Sequence, residues 1–298
     1  MTLTALVTGA TGGLGKATAI QLIQAGATVA IVARDPERGA AAVAEIHRLS
    51  PDGAVHLLVG DLSTMSGVRR IAADVIAQHP QLNVLINNAG VSKFSGREVT
   101  AEGLEATFAT NHLAPFLLSN LLLDLLAKNA PAHIVTVSSF GHRLVSKIPW
   151  DDLQSERSFQ PLEVYNLTKL YNILFTMELA RRAASRGVRV NCLNPGFLLT
   201  DLGREAKGFF RLFLQLSRPF QKPPAVGAAA VIKVAESDVT GRYFNKTQLA
   251  EPSALGKDPT AAARLWEISS HLAALRPAGG TAVEEAFQDV PHSIRPEG

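Results

Sequence analysis

The chain has 298 residues, of which 47% are hydrophobic and 18% charged, and a formal net charge of +3. That composition excludes a disordered or fibrous chain and suits one domain whose strands lie beneath helices on both sheet faces. Without a block of Lys or Arg, so small a charge gives no reason to expect nucleic-acid binding.

Met1 runs into a hydrophobic strand by Ala5, with no basic leader and no apolar stretch of spanning length, so no transmembrane segment and a cytoplasmic location are expected. The first strand, Ala5 to Thr8, ends in Thr8-Gly9-Ala10-Thr11-Gly12-Gly13-Leu14-Gly15, and helical periodicity begins near Gly13. Glycines at such a junction let backbone N–H groups approach a pyrophosphate, and the helix sets its positive dipole end against it. The plain alternative is a tight strand-to-helix turn.

A second strand, Thr28 to Ala33, is followed by Arg34-Asp35 and a helix from Pro36. An acid at the strand end would hold ribose hydroxyls. Here Arg34 follows Ala33, which favours NADP(H) over NAD(H), because a guanidinium pairs with a 2′-phosphate through several donors. A salt bridge from Arg34 to Asp35 is the competing reading. After the third strand, Val55 to Val59, Asp61-Leu62 reads either as an adenine contact or as the cap of a helix from Ser63.

The fourth strand, Val84 to Asn87, leads into Asn88-Ala89-Gly90, small enough for the chain to pass beneath a cofactor. A helix near Ala101 follows and carries Asn111, which alone reads as a buried amide tying neighbours together. Leu113 to Leu126 is too short and too polar to cross a bilayer and reads as buried helix. Ser138-Ser139 closes the fifth strand, Ile134 to Ser138, on the edge where a doubly wound sheet places its ligand. No Gly-x-Ser-x-Gly elbow surrounds it, which excludes a hydrolase nucleophile, and His142 reads as a solvated loop residue.

Tyr165 and Lys169 stand four apart in the helix from Pro161, so both project from one face. A phenol with an ordinary pKa near 10 exchanges protons poorly at neutral pH, and a nearby ammonium favours phenolate. A sixth strand, Val188 to Leu193, a helix near Ala225 and a short strand near Tyr243 complete the alternation. Cys192, the only cysteine, excludes an intramolecular disulfide and a cysteine-based metal site, and no metal is expected at all. The pattern predicts an α/β, single-domain Rossmann fold over residues 1–275, with a doubly wound seven-stranded parallel sheet and helices on both faces. Residues 276–298 mix Gly, Pro and acids without period and read as a flexible tail.

In order, Thr8-Gly9-xxx-Gly13-x-Gly15, Asn87-Asn88-Ala89-Gly90, Asn111, Ser139, Tyr165-xxx-Lys169 and Asn194-Pro195-Gly196 resemble the signature of the short-chain dehydrogenases/reductases. Ile148-Pro149-Trp150-Asp151-Asp152-Leu153 and Gly241-Arg242-Tyr243-Phe244 resemble its retinol dehydrogenase-like branch. That resemblance implies a carbonyl reductase or alcohol dehydrogenase in which Tyr165 transfers the proton, Lys169 lowers its pKa and binds the nicotinamide ribose, Ser139 orients the carbonyl and Asn111 holds a relay water. Gly9, Thr11, Gly13, Leu14, Gly15, Arg34, Asp61, Leu62, Asn88, Ala89, Gly90, Pro195, Gly196 and Thr200 would line the cofactor. Membrane-bound members of the branch carry an N-terminal anchor, which this sequence does not show.

Residues 199–224 read as a substrate lid, with Gly-Phe-Phe-Arg-Leu-Phe-Leu-Gln-Leu at Gly208 to Leu216. Its large apolar side chains suggest a lipophilic aldehyde, ketone or alcohol as substrate, with a dimer contact or weak membrane-surface docking as competing uses. Homo-oligomerisation is left open. A non-catalytic NADP(H)-binding sensor or scaffold on the same fold is the rival function.

Overall fold

The computed structural model describes residues 3–198 and 221–274. Eight strands form one sheet: β1 (Thr4–Thr8), β2 (Thr28–Ala33), β3 (Val55–Val59), β4 (Val84–Asn87), β5 (Ala132–Val137), β6 (Val188–Asn194), β7 (Arg242–Asn245) and β8 (Gln248–Ala250). Their order is β3-β2-β1-β4-β5-β6-β7-β8, and the first seven are parallel. The order reverses between β1 and β4, so their carboxyl ends diverge and open the crevice in which this architecture binds ligands.

Buried strands need apolar residues on both faces, and alternate residues serve the two. Leu6, Ala30, Val32, Leu85 and Ile134 join one core cluster; Ala5, Val7, Val29, Ile31 and Ile86 join the other. Helices α1 (Gly13–Gln24), α2 (Pro36–Leu49) and α7 (Pro224–Ala235) cover the second face. On the first face lie α3 (Met65–Gln78), α4 (Ala106–Phe108), α5 (Ala114–Lys128) and α6 (Pro161–Arg182). A π turn, Ala109–Leu113, joins α4 to α5. The last helix, α8 (Pro259–Leu272), packs outside α6, whose side chains are consequently buried nearly all round.

Four features differ from the sequence expectation. The sheet has eight strands, not seven: β8 turns back antiparallel on β7 through Lys246 and Thr247, with Asn245 paired to Gln248. No Gly marks that turn, and Lys246 takes φ 59 itself. The helix expected near Ala101 starts at Ala106, because Glu105 caps it by accepting from the Thr107 and Phe108 amides. The helix expected at Ser63 starts at Met65 under a Thr64 cap. Helix α8, capped by Asp258, had no predicted counterpart. Residues 199–220 of the segment expected to form a lid, with Thr200, and residues 276–298, expected to form a tail, lie outside the described residues.

Candidate active site

The crevice is built first from the turn after β1. Thr8 Oγ1 accepts from the Asn88 and Ala89 amides, both at 3.0 Å, and Asn88 Nδ2 donates to the Thr8 and Gly9 carbonyls at 2.8 and 3.2 Å. These bonds hold the ends of β1 and β4 together. The approach is close enough to require glycine: a Cβ on Gly15 would overlap the Gly9 carbonyl and Asn88 Nδ2, and one on Gly9 would lie 2.8 Å from Ala89 Cα.

Helix α1 starts in that turn with no side-chain cap and no acid in its first turn. Asp35, Thr64, Glu105 and Asp258 cap α2, α3, α4 and α8, whereas α5, α6 and α7, like α1, start without a side-chain cap but carry Pro in their first turn. A Cβ on Gly13 would meet nothing within 4 Å, so space lies over the uncapped amides. Free N–H groups, a positive dipole end and room for a ligand suit the pyrophosphate of a dinucleotide.

Arg34 is exposed at the end of β2 and makes no ion pair among the described residues. Among those residues no salt bridge joins it to Asp35, whose Oδ1 accepts from the Glu37 and Arg38 amides. Asp61 likewise does not cap α3; its Oδ1 accepts from Ser63 N at 2.8 Å. Leu62 and Ala89 line one small hollow with Thr8, Asn87 and Thr110. Beyond β6, Gly196 N donates to Asn194 Oδ1 at 3.2 Å, and Asn194 is tied to Asn245 of β7. Pro195 and Gly196 thus sit at the carboxyl edge of the sheet. Thr11 lies in the turn between β1 and α1.

The chemical residues meet across the β5–α6 junction. Ser138 Oγ donates to the Lys169 carbonyl at 2.8 Å, and Lys169 Nζ donates to the Val137 carbonyl at 2.9 Å. Ser139 acts on the Tyr165 phenol, and Lys169 Nζ lies 5.5 Å from the Tyr165 ring centre. The position that a Cβ on Gly90 would take is 3.5 Å from both Asn111 Oδ1 and Lys169 Nζ, so the turn after β4 reaches the same place.

Burial pushes the Tyr165 phenol up to about 12, against a lowering pull from the Ser139 hydrogen bond. The Lys169 ammonium is drawn down to about 8, also by burial. Removal from water favours the neutral form of each group, so in the protein alone the phenol rises instead of falling as the Tyr-xxx-Lys spacing suggested. Tyr165 nonetheless stays only half-buried, as a group that meets substrate must.

Asn111 sits in the π turn, an irregularity frequent at functional sites. Its Oδ1 accepts from Val91 N at 2.8 Å, and its Nδ2 donates to Val91 O at 2.9 Å and Thr168 Oγ1 at 3.1 Å. The amide is occupied by protein partners, so the side chain braces the loop after β4 against α6. His142, expected to be solvated, is fully buried; Thr168 serves the site without having been singled out, and Thr8 and Ser138, quoted only within motifs, hold the ends of β1 and β5.

Such a sheet, glycine turn and Ser-Tyr-Lys group define a nicotinamide-dependent oxidoreductase of one class. The family profile described as short chain dehydrogenase matches residues 3–208, and the chain belongs to that family. Within it the chain is retinol dehydrogenase-like, an oxidoreductase acting on CH–OH groups. It is 39% identical to retinol dehydrogenase 14 of Homo sapiens, covering 91% of this chain and 86% of the relative. To retinol dehydrogenase 11 of Mus musculus it is 38% identical, with coverage of 91% and 86%. Among solved structures, an uncharacterised protein from Mycobacterium paratuberculosis superposes with a TM-score of 0.73 at 32% identity, covering 91% of this chain and 93% of that one. Pseudomonas aeruginosa RhlG, in an NADP active-site complex, superposes with a TM-score of 0.65 at 26% identity over 87% and 96%. Among the described residues, no helix is long and apolar enough to cross a membrane.

Proposed function

We propose that the chain uses NADP(H) to interconvert a lipophilic carbonyl and its alcohol, with carbonyl reduction the favoured direction. The observation that carries this reading is the Ser139–Tyr165–Lys169 group at the carboxyl end of β5, one crevice from the uncapped start of α1. When bound, a nicotinamide cofactor supplies or accepts the hydride. Gly9, Thr11, Gly13, Leu14 and Gly15 would hold its pyrophosphate, Asp61 and Leu62 its adenine, and Asn88, Ala89, Gly90 and Lys169 its nicotinamide ribose. Pro195, Gly196 and Thr200 would border the nicotinamide. Arg34, exposed and without an ion pair among the described residues, supports NADP(H), since it is available to a 2′-phosphate.

Ser139 Oγ accepts from Gly141 N at 3.2 Å, which leaves its own proton for a substrate oxygen. Tyr165, held at about 12, is a neutral phenol at neutral pH and donates to the alkoxide formed by reduction. Lys169 stays mostly protonated there and stabilises the phenolate left behind. Asn111 keeps Val91 and Thr168 in place around this group. A protonated Tyr165 supports the reduction direction, since alcohol oxidation uses the phenolate as base.

Phe140, Leu144, Leu162 and Phe197, at 58%, 69%, 44% and 48% exposure, are apolar side chains close in sequence to Ser139, Tyr165 and Gly196. They support a lipophilic substrate. The test is NADPH oxidation with decanal, all-trans-retinal and short polar aldehydes, run beside NADH and with Tyr165→Phe. A loss of at least about 100-fold in kcat is expected for the variant. Undiminished turnover would refute the role of Tyr165, and NADPH binding without turnover of any carbonyl would favour the sensor reading.

A further inference from the structure

We propose that His142 is a positioning residue for Ser139, locking the backbone of that serine so that its hydroxyl stays aimed at Tyr165 and the substrate oxygen. This rests on the oxidoreductase reading above. His142 Nδ1 lies 2.6 Å from the Ser139 carbonyl oxygen. A carbonyl only accepts, so Nδ1 carries the proton and Nε2 the lone pair. Among the described residues Nε2 is buried without a partner, and the ring stands edge-on to Tyr243 of β7, with centroids 5.0 Å apart. An apolar side chain of similar shape would fill that space without an orphaned nitrogen. Packing alone therefore does not account for an imidazole here; its one polar contact does.

That contact acts where the catalytic geometry is set. Ser139 is the last extended residue before a single 3-10 turn, Phe140–Leu144, at φ -155 and ψ 158. Its hydroxyl accepts from Gly141 N, and its carbonyl accepts from His142 Nδ1. Two successive residues thus grip both ends of the serine, and the N–H donated to Oγ polarises the O–H that remains. Gly141 is needed for the same turn to pass α6, since a Cβ there would overlap Asn166 Oδ1, beside Tyr165. Without the His142 side-chain bond, the Ser139 carbonyl keeps only the longer 3.3 Å bond from the His142 backbone N–H, and the turn that presents the hydroxyl is held less tightly.

The test compares His142→Leu, which removes the donor, with His142→Asn, which keeps an N–H donor on its δ atom. In NADPH-dependent decanal reduction, His142→Leu should lose about 10- to 100-fold in kcat, with KM moved by no more than about two-fold. His142→Asn should keep kcat within about three-fold of wild type. Nitrogen-15 NMR of histidine-labelled wild type should show His142 protonated on Nδ1 and bare on Nε2 at neutral pH. Full activity in His142→Leu, no rescue by His142→Asn, or the opposite tautomer each overturns the proposal. A wild type inert toward every carbonyl defeats the activity reading and this one with it, whereas an active wild type with an equally active His142→Leu defeats this one alone.

Discussion

Replacing Lys169 with Met separates a catalytic cation from a structural one, because the two roles predict opposite signs for stability. Lys169 is 3% exposed, and burial draws its ammonium from 10.5 to about 8. At about 1.4 kcal/mol per unit, holding it charged at pH 7 costs the folded state about 3 kcal/mol. The folded pKa is depressed, so this cost is fully present below pH 8 and disappears as pH rises toward the unfolded value of 10.5. Methionine removes the cost but leaves the Val137 carbonyl without its donor, a penalty of about 1–3 kcal/mol. The variant should therefore be as stable as wild type at pH 7, or up to about 2 kcal/mol more stable. Catalysis moves the other way. A unit charge 5.5 Å from the phenolate ring contributes about 3 kcal/mol at an effective dielectric constant of about 20, so kcat should fall about 100-fold. Urea unfolding at pH 7 and NADPH-dependent carbonyl reduction measure the two effects. A variant that unfolds several kcal/mol more easily, or that keeps most of its kcat, would refute the assignment.

Arg34→Asp should weaken NADPH binding by at least about 10-fold and improve NADH binding, read by fluorescence titration of both; equal or tighter NADPH binding removes the case for the 2′-phosphate. Gly15→Ala forces a methyl group into the Gly9 carbonyl and the Asn88 amide, so it should cost about 1–3 kcal/mol of stability and weaken NADPH binding, by urea unfolding and the same titration. The rate of carbonyl reduction should hold through pH 7 and fall as pH passes about 8, where Lys169 loses its proton while Tyr165, at about 12, keeps its own. A rate that climbs above pH 8 would show that phenolate, not phenol, is the working form.

The parallel layers were legible because buried strands announce themselves as β-branched runs, and β2, β3 and β4 lie where those runs predicted. What escaped was set by contacts the pattern does not carry. Strand β8 is three residues long and largely exposed, and its turn uses Lys246 at φ 59 in place of Gly, so neither an apolar run nor a turn signal marks it. Helix α4 begins five residues late because Glu105, whose side chain is an uncommon cap, accepts from the two amides ahead of it. Helix α8 buries Ala261, Leu265 and Trp266 against α6, a tertiary contact between segments far apart in the chain.

At the site, chemistry-bearing residue types stood out and their supports did not. Tyr165 and Lys169 are identified by spacing along one helix, but the sign of the phenol's shift depends on burial, which spacing does not encode. Asn111 drew notice as an amide in a motif, yet what it does follows from the π turn that aims both amide atoms at Val91 and Thr168. His142 was misread for the converse reason: it sits between Gly141 and Arg143 in a short connecting turn, and only the fold of β7 against it reveals that it is buried. Full burial of Lys169 and half-burial of Tyr165 make each neutral form easier, and the bonds from Ser138 and Lys169 across the β5–α6 junction hold the pair where ionising one assists the other. The site's reactivity thus resides in the junction as much as in the residues that touch substrate, which is why a histidine bonded to a backbone carbonyl can govern a serine hydroxyl.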